Sequence, residues 1–274
     1  MSVQSLSTYL DVATEAALAG GAVVMSYYGK LQDIRSKGRP GDVVTEADQA
    51  SEAVVLDIIQ RHFPDHCILA EESGERGDRQ SPYLWAIDPL DGTTNYAHSY
   101  PNFSVSIGLL IDGVPQVGVV FDPHRQELFR AAKGLGATLN RKAIAPSATT
   151  QLSDSLLVTG FAYDRRETPD NNYAEFCYFT HLTQGVRRGG SAALDLAYVA
   201  CGRLDGYWER GLSPWDITAG IVLVEEAGGK VTAYDGSPQD LGSGRLLATN
   251  SHLHPEMITQ LARVSPYPEK MLPL

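Results

Sequence analysis

The apolar positions divide the chain into a helical opening, a β-rich middle and an alternating second half. Leu6, Leu10, Ala13, Ala17, Val24 and Tyr27 recur at helical spacing and predict an amphipathic helix, which Gly29 is placed to stop. Ala47, Ala50, Val54, Ile58 and Ile59 repeat that spacing, and the second helix should end near Phe63 because Pro64 cannot continue the hydrogen-bond ladder. Two helices are therefore expected before any strand. From Cys67 onward the runs shorten, and residues 67–70, 83–87, 103–111, 114–121, 127–132 and 137–139 read as strands. Asp112-Gly113 has the chemistry of a hairpin turn, so at least part of this sheet is antiparallel. Beyond it, strand-like 156–159, 205–208, 230–233 and 246–249 alternate with helix-like 192–200 and 214–227, the pattern of an α/β layer. The Ser, Thr, Ala and Pro-rich stretch 145–155 separates the two patterns. We place a lobe boundary there, with an α+β lobe over 1–147 and an α/β lobe over 148–274.

Composition narrows the function classes. The chain has 274 residues, with 22 Lys and Arg against 33 Asp and Glu, a formal charge of −11. Nucleic acid polymers are poor partners for such a chain, because phosphate contacts need basic clusters that displace counterions. A small phosphate remains possible if a cation lies between it and the acids. Cys67, Cys177 and Cys201 are odd in number and contain no C-x-x-C pair, so neither a disulfide framework nor a zinc site is indicated. No export signal or membrane span is expected, and a reducing cytoplasm fits best.

The most informative segment is Trp85-Ala86-Ile87-Asp88-Pro89-Leu90-Asp91-Gly92-Thr93-Thr94-Asn95. An apolar strand delivers Asp88 at its end, Pro89 and Gly92 bend the chain, and Asp91 can return to the same side. Converging carboxylates raise one another's pKa or bind a cation, and an all-oxygen set favours a hard ion such as Mg²⁺ or Mn²⁺. Thr93-Thr94 could cap a helix whose free N–H groups face an anion. Glu71, after a short apolar strand, and Asp216, three residues after Ser213 at the start of an apolar helix, can complete the shell. Each also has a plain structural reading: an acidic loop for Glu71, a capping-box acid for Asp216. Cys67 and Cys201 read as small buried hydrophobes, and His252 and His254 as loop residues before the last helix.

Taken in order, these segments resemble the inositol monophosphatase family of metal-dependent, lithium-sensitive phosphatases. The likeness rests on WAIDPLDGTTN (85–95) and WDITAGIVLVEEAGG (215–229), preceded by DVVTEAD (42–48) and EES (71–73) and joined by RRGGSAALDLA (187–197). The resemblance implies a layered α-β-α-β-α fold of the inositol monophosphatase and fructose-1,6-bisphosphatase type. It implies that Glu71, Asp88 and the Leu90 carbonyl hold one Mg²⁺, that Asp88, Asp91 and Asp216 hold a second, and that Glu71 contributes to a weaker third. Mn²⁺ would substitute. Asp48 and Thr93 match the pair that orients or deprotonates the attacking water, with Gly92 and Thr93 offering backbone donors to phosphate. Gly190, Ser191, Ala192 and Glu209 match residues that contact the leaving group, and Asp91 is expected to bind substrate as well. The implied reaction is hydrolysis of myo-inositol 1-phosphate or a similar small monoester by direct attack of water, in a cytoplasmic homodimer inhibited by Li⁺.

Relatives of similar pattern hydrolyse fructose 1,6-bisphosphate, 3′-phosphoadenosine 5′-phosphate or histidinol phosphate. A bisphosphate substrate predicts that Arg165, Arg166 or Arg188 enters the pocket, whereas histidinol phosphate needs an acidic partner for its amine. A regulatory protein that keeps the metal site without catalysis is the alternative from another class; the presence of Glu71, Asp88, Asp91, Asp216, Asp48 and Thr93 argues against it.

Overall fold

The computed structural model of the protein describes residues 3–39 and 41–267. Helix α1 (Val3–Tyr27) is followed by the short strands β1 (Ile34–Ser36) and β2 (Val43–Thr45) and by helix α2 (Glu46–His62). Strands β3 (Cys67–Ala70), β4 (Gly74–Arg76) and β5 (Tyr83–Asp91) lead to the single-turn helix α3 (Thr93–Ala97). Then come β6 (Ser104–Ile111), β7 (Val114–Asp122), β8 (Glu127–Ala132), β9 (Gly136–Leu139) and β10 (Lys142–Ala143). The second half runs β11 (Leu156–Thr159), α4 (Tyr173–Leu182), β12 (Gly185–Arg188), α5 (Ala192–Ala200), β13 (Gly206–Glu209), α6 (Pro214–Glu226), β14 (Lys230–Thr232), β15 (Leu246–Thr249) and α7 (His254–Leu261).

Eight strands form one sheet in the order β10-β9-β8-β7-β6-β5-β3-β4, and five form another in the order β12-β11-β13-β15-β14. The larger sheet is antiparallel apart from the β3–β5 pair; the smaller is parallel at β11 and antiparallel around β15. Helices α1 and α2 cover one face of the larger sheet, through Ala13, Ala17, Val24, Val55 and Ile59. Helices α5 and α6 fill the space between the sheets, and α4 and α7 close the outer face of the smaller one through Phe179 and Met257 against Trp208 and Leu247. The layers are thus α-β-α-β-α. Every residue of β6 is buried, because helices cover both its faces, which is why that segment reads as an unbroken apolar run.

One close approach sets the position of the site. Gly108 and Gly118 face each other across β6 and β7. A Cβ on Gly108 would lie 2.4 Å from Thr218 Cγ2, and one on Gly118 would lie 2.3 Å from the Ala219 carbonyl oxygen. The glycine pair is a groove into which α6 sinks, and this fixes the N-terminus of α6 over the end of β5.

The structure corrects three expectations. A strand pair precedes α2: β1 and β2 pair antiparallel from Ile34↔Thr45 to Ser36↔Val43. Three-residue strands held mainly by backbone pairing, with β1 wholly exposed, leave no hydrophobic period to read. The chain does not turn at Pro89, because β5 continues to Asp91 with a register shift between Asp88 and Asp91. His254 is no loop residue: it opens α7 fully buried, between the Thr232 and Thr249 hydroxyls at 2.9 Å each.

Candidate active site

The site grows from the end of β5. Asp88 pairs with Ser106 and Asp91 with Ser104, so three steps on β5 oppose two on β6. In a regular strand, positions three apart point to opposite faces; one extra residue returns Asp91 to the side of Asp88. The bend follows at Gly92, whose φ of 95° is a left-handed conformation, and whose Cβ would stand 2.9 Å from the Asn102 carbonyl oxygen. Gly92 is also the N-cap of α3, in place of the threonine cap expected from sequence.

Neighbouring elements deliver the other acids. Strand β3 runs parallel to β5, with Ala70 opposite Ile87, and the Glu71 N–H donates to the Ile87 carbonyl at 3.1 Å. Glu71 thereby lies beside Asp88. Asp216 comes from the first turn of α6, where its Oδ2 accepts from the Ser213 N–H at 2.7 Å. Its capping role and its place in the site coexist, because a carboxylate has further lone pairs to offer.

Glu71, Asp88, Leu90, Asp91, Gly92, Thr93, Gly190, Ser191, Ala192, Glu209 and Asp216 all line one open cavity of about 290 Å³. Asp48 is the exception among the sequence candidates. It is fully buried behind Thr93, whose hydroxyl lies 3.0 Å from Asp48 Oδ1 and 2.9 Å from the Leu90 carbonyl. Asp48 Oδ2 accepts from the Thr45 N–H at 2.8 Å and the Thr45 hydroxyl at 2.5 Å, closing a capping box at the start of α2.

Electrostatics show acids crowded out of water. Burial lifts Asp88 and Asp216 well above the usual carboxylate range, with Glu71 and Asp91 adding to both. Asp91 is pushed by burial to about 6, against the pull of the Ser191 hydroxyl and the Ala193 N–H. Burial raises Asp48 to about 6 and Glu209 to about 7. Among the described residues, no three acidic, imidazole or thiol side chains are drawn together into a ready-made cation site. Their oxygens are instead turned to protein donors: Asp88 to the Leu90 N–H, Asp91 to α5, Asp216 to Ser213, and Glu71 to Lys37.

Lys37, which sequence reasoning did not single out, supplies the local positive charge. Its Nζ donates to Glu71 Oε1 at 2.8 Å and to Glu72 Oε1 at 2.6 Å. Burial works against its charge, but Glu71 and Glu72 outweigh it and raise the ammonium above its ordinary pKa. Asp42, Phe161 and Tyr163 also line the cavity. Polar loop positions of this kind carry no period, so only the assembled cavity identifies them. Of the basic residues weighed from sequence, Arg188 lines the cavity; Arg165 and Arg166 do not, and Arg165 donates to the Ala162 carbonyl at 3.2 Å.

Layered sheets with buried carboxylates lining one cavity at a strand end, beside a hydroxyl–carboxylate pair, define the class: a phosphatase. The profile of the inositol monophosphatase family matches residues 5–265. The chain belongs to that family, which is generally metal-dependent. It is 66% identical over 261 residues to the inositol-1-monophosphatase of Synechocystis, covering 95% of this chain and 91% of that protein. It is 43% identical to the chloroplastic phosphatase IMPL1 of Arabidopsis thaliana, over 92% of this chain and 70% of that one. The solved structure of an inositol monophosphatase from Anabaena superposes with a TM-score of 0.88 at 66% identity, covering 96% of this chain and 98% of that one.

Proposed function

We propose that the protein hydrolyses myo-inositol 1-phosphate to myo-inositol and phosphate with Mg²⁺ as cofactor. The observation that carries this reading is the shared cavity, in which Asp88, Asp91, Asp216 and Glu71 meet a hydroxyl backed by a buried carboxylate. The donors fit a hard cation. They are carboxylates and one carbonyl, without a histidine or cysteine among the lining residues, and burial penalises their charge unless a cation offsets it.

Glu71, Asp88 and the Leu90 carbonyl would hold one ion, and Asp88, Asp91 and Asp216 a second, with Glu71 contributing to a third. Mn²⁺ would substitute for Mg²⁺, and Li⁺ would inhibit. Bound there, the ions would supply an acidified water and neutralise charge on the ester and the departing alkoxide. The chain's own groups complete the reaction. Thr93 orients the attacking water through its hydroxyl, and Asp48, already raised to about 6, takes the proton. The Gly92 and Thr93 N–H groups face the phosphate. Attack is direct and in line, so the phosphate passes to water without a covalent enzyme adduct.

The leaving alcohol lies against Gly190, Ser191, Ala192 and Glu209. The Glu209 carboxylate, held by the Tyr207 hydroxyl at 2.7 Å, accepts from vicinal hydroxyls of the ring. In this reading residues 1–147 provide most metal ligands, while 148–274 provide the last ligand and the alcohol pocket. The same reading extends to a homodimer. It extends also to the cytoplasm, whose reducing conditions suit free Cys67, Cys177 and Cys201. No helix among the described residues is long and apolar enough to cross a membrane.

A second reading, a leaving group with a second phosphate, is favoured by one observation. Arg188 lines the cavity and its charge pulls on the Glu209 carboxyl. Phosphate release from a panel containing inositol 1-phosphate, fructose 1,6-bisphosphate, 3′-phosphoadenosine 5′-phosphate and histidinol phosphate separates the readings. The highest kcat/KM on inositol 1-phosphate supports the first; a preference for a bisphosphate that Arg188→Ala removes supports the second.

A further inference from the structure

Asp91 is held largely from the other half of the chain. It accepts from the Ser191 hydroxyl at 2.5 Å, the Ala193 N–H at 2.8 Å and the Ala192 N–H at 3.2 Å. These donors sit at the start of α5, so the Gly189-Gly190 turn before that helix sets their position. Two asparagines from the first half grip that turn. Asn95 Nδ2 and Asn102 Nδ2 each donate to the Gly189 carbonyl oxygen at 3.0 Å, and Asn95 Nδ2 also donates to the Asn102 carbonyl at 2.8 Å. A carbonyl oxygen has two lone pairs, and here two amides fill them.

The fit around the grip is tight. Gly190 has φ 84°, and a Cβ there would stand 2.9 Å from Asn95 Nδ2. Gly92, the residue after Asp91, has its Cβ direction 2.9 Å from the Asn102 carbonyl oxygen and 3.2 Å from that of Gly190. The contacts close into a ring: Asp91 to α5, α5 to the Gly189-Gly190 turn, that turn to Asn95 and Asn102, and these back to Gly92. Neither asparagine lines the cavity.

We propose that Asn95 and Asn102 form an amide clamp on the Gly189 carbonyl that seats the α5 donors on both Asp91 oxygens, and so fixes the orientation in which the carboxylate meets the cation. Both are positioning residues. The proposal rests on the reading of Asp91 as a metal ligand. The α5 donors hold the ligand without touching the ion; such groups typically contribute 10- to 100-fold to metal affinity, and the asparagines act through them.

The test is calorimetric titration of the whole protein with Mn²⁺, without substrate, on the wild type, Asn95→Asp, Asn102→Asp and the double variant. Aspartate keeps the shape but replaces the donor with an acceptor aimed at a carbonyl. Each single variant should weaken Mn²⁺ binding about 10-fold, with kcat at saturating metal changed far less. The double variant should lose less than the product of the single losses, because both donors serve one oxygen. A merely structural role would lower the melting temperature and leave the Mn²⁺ isotherm unmoved, which overturns the clamp. Asp91→Asn is the control: wild-type Mn²⁺ binding there overturns the ligand reading and the clamp together. Lost binding in Asp91→Asn with wild-type binding in both asparagine variants overturns the clamp alone. If circular dichroism shows an aspartate variant unfolded, Asn95→Ser and Asn102→Ser replace it under the same outcomes.

Discussion

Asp48→Asn should separate the stability of the site from its chemistry. Asp48 is wholly buried, and burial lifts its carboxyl from 3.8 to about 6. Holding it ionised in the folded protein therefore costs about 3 kcal/mol at pH values above 6. The sign follows from proton counting. Between about pH 4 and 6 the folded state binds more protons than the unfolded state, so stability falls as pH rises through that window. For this one group the change between pH 5 and pH 8 is on the order of 1 kcal/mol, and the rest appears only on moving below pH 4. Asparagine carries no charge and can still accept from the Thr45 N–H while offering its amide to Thr93. In urea unfolding of metal-free protein, the variant should therefore gain on the wild type by on the order of 1 kcal/mol more at pH 8 than at pH 5. Turnover should move the other way, falling roughly 10²- to 10⁴-fold as the proton acceptor is lost. A variant with the wild-type pH dependence of stability, or with wild-type turnover, would refute the reasoning.

The other predictions concern the acids, the packing and the alcohol pocket. Asp91→Asn and Asp216→Asn should each lose at least about 100-fold in turnover while circular dichroism shows an intact fold; near wild-type rates in either would count against their role as ligands. Gly118→Ala should lower unfolding free energy in urea by about 1–3 kcal/mol, because its Cβ meets the Ala219 backbone oxygen at 2.3 Å and a helix backbone cannot step aside. At pH 8, above the value of about 7 to which burial raises Glu209, Glu209→Gln should raise KM for inositol 1-phosphate by about 10-fold, the loss expected when a charged acceptor becomes neutral, with kcat changed less. A fall confined to kcat would place Glu209 in the chemistry instead.

Legibility from sequence followed periodicity and covalent linkage. Helices α1, α2, α5 and α6 and strands β6 and β7 each bury a face large enough to leave a pattern. The β1–β2 pair is too short and too exposed to do so, and α4 with β12 fills 173–188 with polar and aromatic residues that show no clean period. The acids were legible because several end apolar runs: Glu71 follows β3 and Asp88 ends the apolar part of β5. Their convergence depends on a bulge and on the Gly108–Gly118 groove, which are three-dimensional facts. Asp48 illustrates the limit: the family resemblance pairs it with Thr93, forty-five positions away, but only the fold shows the 3.0 Å contact and the full burial behind it. Lys37 lies in a polar turn that resembles any solvated loop, and its meaning appears once Glu71 and Glu72 are placed around it.

Phosphate release from myo-inositol 1-phosphate, measured on chelator-treated protein as Mg²⁺ is added back, bears most directly on these acids as a shared cation cage. The account predicts negligible release without Mg²⁺ and a saturable recovery that Asp216→Asn loses. Release at the full rate in the presence of chelator would contradict it.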